Sequence, residues 1–187
     1  MVLMDAIITD LPQEHFRDSM MHLENAREMV GNTDPFPLWR EVRATVIFAF
    51  TAIEAFMNKV AFYYLEKNED VDPYIVDYLK ERQPIFTNGS KSYKNKYLSL
   101  DAKITDWTKI ITGNKFDKSD FVWENFIIIK KLRNTLVHGH PDSEEIYNDA
   151  TLEMAQLAVD TVSNIINRFY EYDGKPYPPW VDINKME

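Results

Sequence analysis

Between Pro37 and Asn68, the residues Trp39, Val42, Val46, Phe50, Ile53, Met57, Val60 and Tyr64 recur at steps of three and four. That spacing puts them on one face of a single long α-helix, the central one of the chain. Its most apolar part, Ala44 to Met57, holds Glu54 and gives way to Asn58 and Lys59. The run is therefore too short and too polar for a membrane span and reads as a buried helix.

Four other major helical patterns flank it. The first runs from about Leu11 to Val30, opened by Asp10 three residues before Gln13 and by Pro12, with Phe16, Met20, Leu23 and Val30 inward, and closed by Gly31-Asn32. A short helix at Pro73 to Arg82 and a Pro-, Gly- and Lys-rich connection precede a helix at Leu100 to Thr112, which Gly113 ends. The next covers Asp120 to His138, capped by Ser119 or Asp120. The last is about Asp149 to Tyr172, with Leu152, Ala155, Val159, Val162, Ile166 and Phe169 inward. Beyond it Gly174, Pro176, Pro178 and Pro179 predict an extended tail. Strand signals are few. The expectation is an all-α, single-domain bundle of about five main helices over residues 1–187, with a core at about 38–172, an insertion at about 73–113 and a C-terminal tail at 173–187. The 187 residues, 45% hydrophobic, suffice for one substantial core and not for two.

The absence of Cys excludes disulfides, thiolate nucleophiles and cysteine zinc sites, and Met1 to Asp10 lacks the basic region of a secretory signal. A cytoplasmic location is expected. The four histidines lack zinc-type spacing, no dense carboxylate cluster accompanies them, and the five glycines form no Walker-type loop. No metal and no cofactor is expected.

A net charge of −9 argues against a polyanion partner until it is divided along the chain. From Lys80 to Arg133 there are 12 Lys and Arg against 6 Asp and Glu, or +6, which leaves −15 elsewhere. Within that basic middle, Lys91, Lys94 and Lys96 alternate with Tyr93 and Tyr97 in an expected loop, a combination suited to single-stranded RNA. Solvated loop lysines are the alternative. The acidic remainder would repel RNA and help confine it to one face.

The helix at 120–138 ends in Arg133-Asn134-Thr135-Leu136-Val137-His138, followed by Gly139-His140-Pro141. Arg grips a phosphate through a planar fork of donors and His titrates near neutral pH, so together they can bind a phosphodiester and move the proton of a neighbouring hydroxyl. Asn134 and His138 share a helix face, whereas Arg133 lies about 140° from His138. The same string also fits Arg17 and His22, mid-pattern in an ordinary amphipathic helix. Position at a helix terminus favours Arg133 and His138; a cationic helix end favoured by the helix dipole is the alternative reading.

Two further features exceed the needs of a bundle. Glu54 is the only formal charge in its apolar run and needs a partner, for which Arg133 is a candidate; Thr51 and Asn58 share its face. A structural polar contact between two helices would satisfy it equally. The helix at 120–138 is also apolar on nearly every side. If Val122, Ile129, Leu132 and Leu136 face the bundle, Ile127 points away with Asn134 and His138, either against a second subunit or under the tail around Trp180.

The Arg133 to His138 string late in a helical bundle, with Thr51-Ala52-Ile53-Glu54-Ala55-Phe56-Met57-Asn58 in an earlier long helix, resembles the HEPN domains, named for higher eukaryotes and prokaryotes nucleotide-binding. The resemblance covers roughly Leu38 to Tyr172. It implies an α-helical, HEPN-like bundle, usually homodimeric, in which Arg and His of both subunits form a composite metal-independent endoribonuclease site. Many members act as toxins or in phage defence, with an antitoxin or inhibitor protein as partner. Others are noncatalytic RNA-binding or interaction modules. On this reading the partner is RNA: His138 takes the proton of the ribose 2′-hydroxyl, Arg133 binds the scissile phosphate, Asn134 orients His138 or the substrate, and Glu54 positions Arg133. The acid is His140 or a second His138. The 73–113 insertion departs from the family pattern and leaves substrate choice open.

Overall fold

The computed structural model describes residues 10–87, 90–138 and 150–182. Six helices, α1 (Leu11–Glu28), α2 (Phe36–Lys67), α3 (Pro73–Leu79), α4, α5 (Phe121–His138) and α6 (Leu152–Asp173), surround one apolar core, and a single hairpin of β1 (Arg82–Thr87) and β2 (Ser90–Asn95) joins α3 to α4. Helix α4 is composite: Leu100–Ala102, a π-helical turn Lys103–Trp107, then Thr108–Thr112. His140, a candidate acid, lies outside the described residues.

The long stripe of α2 does what its spacing requires. Val42, Val46, Phe50, Ile53 and Met57 are buried, together with Ala49, Ala52 and Phe56, and α1, α5 and α6 pack along them. Aromatic contacts tie the layers: Phe50 stacks on Phe126 of α5 at 5.8 Å, and Phe56 meets Phe169 of α6 edge-on at 5.2 Å. Offset and edge-to-face pairs of this kind add to the gain from burial alone. By length and composition α2 would suffice to cross a bilayer, contrary to the reading of 44–57 alone, because the regular helix extends well beyond that run; half of its most apolar window is buried inside the bundle.

The caps follow the local chemistry with one exception. Asp120 accepts from Val122 N at 3.0 Å, and Thr151 from Met154 N at 3.3 Å, each satisfying an orphan amide of the first turn. Gly113 and Gly174 end α4 and α6 with φ of 77° and 67°, a left-handed conformation that glycine enters without steric cost. The expected cap at Asp10 does not form. Its carboxylate turns instead to Lys59 Nζ on α2, 2.6 Å away, since a full charge attracts it more strongly than a backbone amide does.

Three further expectations are corrected. Val30 is exposed, because α1 stops at Glu28 and the chain turns before reaching it. The tail is not simply extended: Pro179–Val181 forms a 3-10 turn that buries Val181, sets Trp180 5.8 Å from Phe16, and offers the Val181 carbonyl to Ser163 Oγ at 2.7 Å. The stretch around Lys91 to Lys96 is not a loop. Ser90–Asn95 is the second strand of the hairpin, paired antiparallel from Arg82 opposite Asn95 to Thr87 opposite Ser90, and Lys96 and Tyr97 follow it.

Candidate functional site

Helix α5 buries Val122, Phe126, Ile129 and Leu132, and Leu136 packs against the core. Among the described residues the opposite side stays bare, as a helix with apolar residues all round must leave it when only one face has a neighbour. Ile127 is 41% exposed, Ile128 and Val137 are exposed with it, and so are Asn134 and His138 at the C-terminal end. The described part of the tail does not cover this surface; Trp180 and Val181 dock on α1 and α6 instead.

Arg133 is half-buried and donates from Nη1 to Asn134 Oδ1 at 3.3 Å. That bond draws the guanidinium around the helix toward Asn134, the residue sharing a face with His138. All three residues lie in the last two turns of α5, and His138 is exposed at its end. The arrangement offers a fork of phosphate donors, an amide and a titratable ring on one exposed edge.

The second copy of the string is used differently. His22 Nδ1 lies 2.7 Å from Glu41 Oε2 and its ring stacks on Phe48 at 5.3 Å, while Arg17 pairs with Glu14 within its own helix. The His22 hydrogen bond holds the nearly buried Glu41 carboxyl below its ordinary range, against the opposing push of burial, with Asn25 and Arg40 assisting. Here Arg, four residues and His serve the packing of α1 on α2.

Glu54 does not meet Arg133. Its carboxylate is 54% exposed and lies 3.5 Å from Lys103 Nζ, so the burial that would have demanded a partner on α5 is absent. Lys103, with a side chain only 3% exposed, also donates to Asn58 Oδ1 at 3.0 Å and to Glu81 Oε2 at 2.8 Å, and sits 5.1 Å from the Trp107 ring. Thr51 bonds its own helix backbone, at Ile47. Of the expected face around Glu54, then, Glu54 and Asn58 act together, but on Lys103.

The sequence does carry a signal for this lysine: Leu100, Lys103, Ile104, Trp107 and Ile111 share one helical stripe, which places a cation among core residues. Glu81 is unobtrusive as a letter, yet it is the one non-glycine residue with positive φ, 49°, among the described residues. Its conformation is held from three sides: the Glu81 carbonyl accepts from Lys96 N at 2.6 Å, Oε1 accepts from Leu98 N at 2.8 Å, and Oε2 meets Lys103. Left-handed backbone at glutamate persists only where surrounding contacts overdetermine it. The cluster fixes the root of the hairpin to the bundle.

The hairpin carries the expected RNA-binding residues. Lys91, Lys94, Lys96 and Tyr97 are exposed, and Tyr93 partly so. The Arg82 guanidinium lies over the Tyr93 ring at 4.3 Å and is held at 2.7 Å by Asp77; Lys91 Nζ approaches the same ring at 5.1 Å. At the base, Tyr78 donates to Asp106 Oδ2 at 2.6 Å, and burial together with that carboxylate pushes its hydroxyl well above the ordinary phenol range.

Comparison of the chain with protein-family models, with curated proteins and with solved structures finds no match.

Proposed function

We propose that this protein is a cytoplasmic, HEPN-like endoribonuclease that cleaves RNA by metal-independent transesterification across a homodimer. The observation that carries the reading is the coincidence on α5 of Arg133, Asn134 and His138 with the uncovered apolar surface at Ile127. A two-fold contact is self-complementary, and with its axis along α5 a second copy seated on Ile127 would set the two Arg133–His138 ends side by side.

In this mechanism His138 accepts the proton of a ribose 2′-hydroxyl as that oxygen attacks the adjacent phosphorus. Arg133 holds the phosphate oxygens and takes up their growing charge, with Asn134 fixing its direction. The bond to the 5′-oxygen breaks, and that oxygen receives a proton from the second His138 of the dimer. The products are a 2′,3′-cyclic phosphate and a free 5′-hydroxyl. Glu54, committed to Lys103, has no part in the step. A role in toxicity or defence, with an inhibitor protein that covers the α5 edge, fits a site whose side chains are exposed among the described residues.

The decisive experiment is incubation of the purified protein with mixed RNA in EDTA, followed by analysis of the ends. Cyclic phosphate termini support the reading. RNA bound tightly yet left intact would make the protein a noncatalytic RNA-binding module instead.

A further inference from the structure

Strand residues alternate between faces, and residues directly opposite one another in an antiparallel pair share a face. The register therefore collects Arg82, Pro84 and Phe86 of β1 with Lys91, Tyr93 and Asn95 of β2 on one side of the hairpin. Phe86 is 72% exposed, directly opposite Lys91 and two residues from the Pro84 and Tyr93 pair. Large aromatics are not left this open on a two-stranded ribbon by the needs of a core, because β2 contributes no buried residue at all.

The charge is as one-sided as the aromatics. From Arg82 to Leu98 the sequence has four cations and no carboxylate, in a chain whose net charge is −9. Lys91 lies on the aromatic face, Lys94 on the opposite one across from Gln83, and Lys96 just beyond the strand, so the cations rim the free edge of β2. The Tyr93 ring is already engaged by Arg82 and Lys91, which leaves Phe86 as the open aromatic ring on this face of the hairpin.

We propose that this hairpin is a docking platform for single-stranded RNA, in which a base stacks on Phe86 while Lys91, Lys94 and Lys96 hold the neighbouring phosphates along the β2 edge. A polyanion answers the charge, and an unpaired base answers the bare aromatic ring; a duplex presents phosphates with its base faces hidden. A lipid surface is a poorer match, since on its own face Phe86 is accompanied by Arg82, Lys91 and Asn95 rather than by an aliphatic patch. The proposal rests on the reading of RNA as substrate, and it adds where the strand is gripped outside the scissile site. Glu81 and Lys103 give the platform a fixed root, which a stacking surface requires if it is to present one strand in a constant direction.

The test uses the full chain and a short, labelled, single-stranded RNA with every 2′-hydroxyl methylated, so that transesterification is blocked and binding alone is read. Wild type should bind it, and Phe86→Ala should weaken binding about five- to hundredfold, the range for removal of one base stack. Changing Lys91, Lys94 and Lys96 together to Glu should weaken it further and lower the log-log salt slope by about 0.7 for each phosphate no longer neutralised. All these side chains are exposed, so unchanged circular dichroism is expected and is checked. No binding by wild type, undiminished binding by Phe86→Ala, equal affinity for the matched duplex, or Phe86-dependent binding to anionic phosphatidylserine vesicles in its place would each overturn the platform. Parallel incubation with unmodified RNA separates the two readings. Phe86-dependent binding without cleavage leaves the platform standing and the ribonuclease fallen; cleavage with no contribution from Phe86 does the reverse.

Discussion

Lys103 holds the hairpin to the bundle, and its removal gives a measurable test of how that junction is built. In Lys103→Met the aliphatic stem and its packing on Trp107 are largely kept, while the ammonium that serves Glu81, Glu54 and Asn58 is removed. Deleting one member of a buried ion pair typically costs about 3–5 kcal/mol, chiefly by leaving the other charge buried and unmatched. The stranded charge here is Glu81, whose side chain is 23% exposed and retains the Leu98 amide as a donor. The cost should therefore fall to roughly 2–3 kcal/mol. For a domain of this size each kcal/mol moves the midpoint by about 2–4 °C, so thermal denaturation should shift downward by about 4–12 °C. Glu54→Gln should cost under about 1 kcal/mol, since more than half of that carboxylate is in water. Adding Glu81→Gln to Lys103→Met should cost less than the two singles summed, because the second change removes the charge that the first stranded. Amide exchange at Lys96 and Leu98 should rise in Lys103→Met more than exchange within α2, since both amides hang on Glu81. A midpoint unchanged in Lys103→Met, or a Glu54→Gln variant destabilised as much, would refute the assignment of Glu81 as the essential partner.

Wild type should be a homodimer at micromolar concentration by light scattering, and Ile127→Asp should dissociate it by placing an unpaired charge in a desolvated seam. In the RNA assay His138→Ala should reduce cleavage about 10²- to 10⁴-fold and Arg133→Ala about 10²- to 10³-fold, with Arg17→Ala unchanged and chelator without effect. Acid unfolding should report Glu41: a carboxyl whose folded pKa is lowered contributes stability above its ordinary value of 4.5 and loses it as pH falls through the folded value. Glu41→Gln should accordingly be less stable than wild type at neutral pH, and urea unfolding should show the gap narrowing in acid.

Helix α2 was legible because its stripe is long, and the error at either end does not change which residues face inward. The exposure of Ile127, Asn134 and His138 on one side of α5 followed from the same arithmetic. The hairpin was not, because its strands have no buried face to impose alternation: β2 reads Ser-Lys-Ser-Tyr-Lys-Asn, which composition assigns to a loop. The dipeptide Asn88-Gly89 between two runs of strand length was the one available cue. The partner of Glu54 is not legible in the sequence for a different reason. Spacing along one helix says which residues share a face, but whether Lys103 or Arg133 lies opposite depends on how α4 and α5 are placed around α2, which no local period encodes.

The charge division and the fold together bear on how an acidic protein would hold RNA. Outside 80–133 the chain carries −15, so a strand approaching the bundle meets repulsion except along the hairpin and the elements that follow it. Those elements are mechanically connected: Glu81 bonds Lys103 on α4, Asp101 of the same helix pairs with Lys130 on α5 at 2.6 Å, and His138 lies two turns further along α5, about 12 Å by helical rise. Each cation in that series except Lys103 keeps solvent access. On the proposed reading, repulsion from the remainder would leave the hairpin and the elements that follow it as the less repulsive approach for RNA. Added salt should weaken attraction and repulsion alike, so RNA affinity should fall with ionic strength less steeply than the number of exposed lysines suggests. A salt slope as steep as those lysines would give on a neutral protein would mean that the acidic surface lies too far from the RNA path to matter.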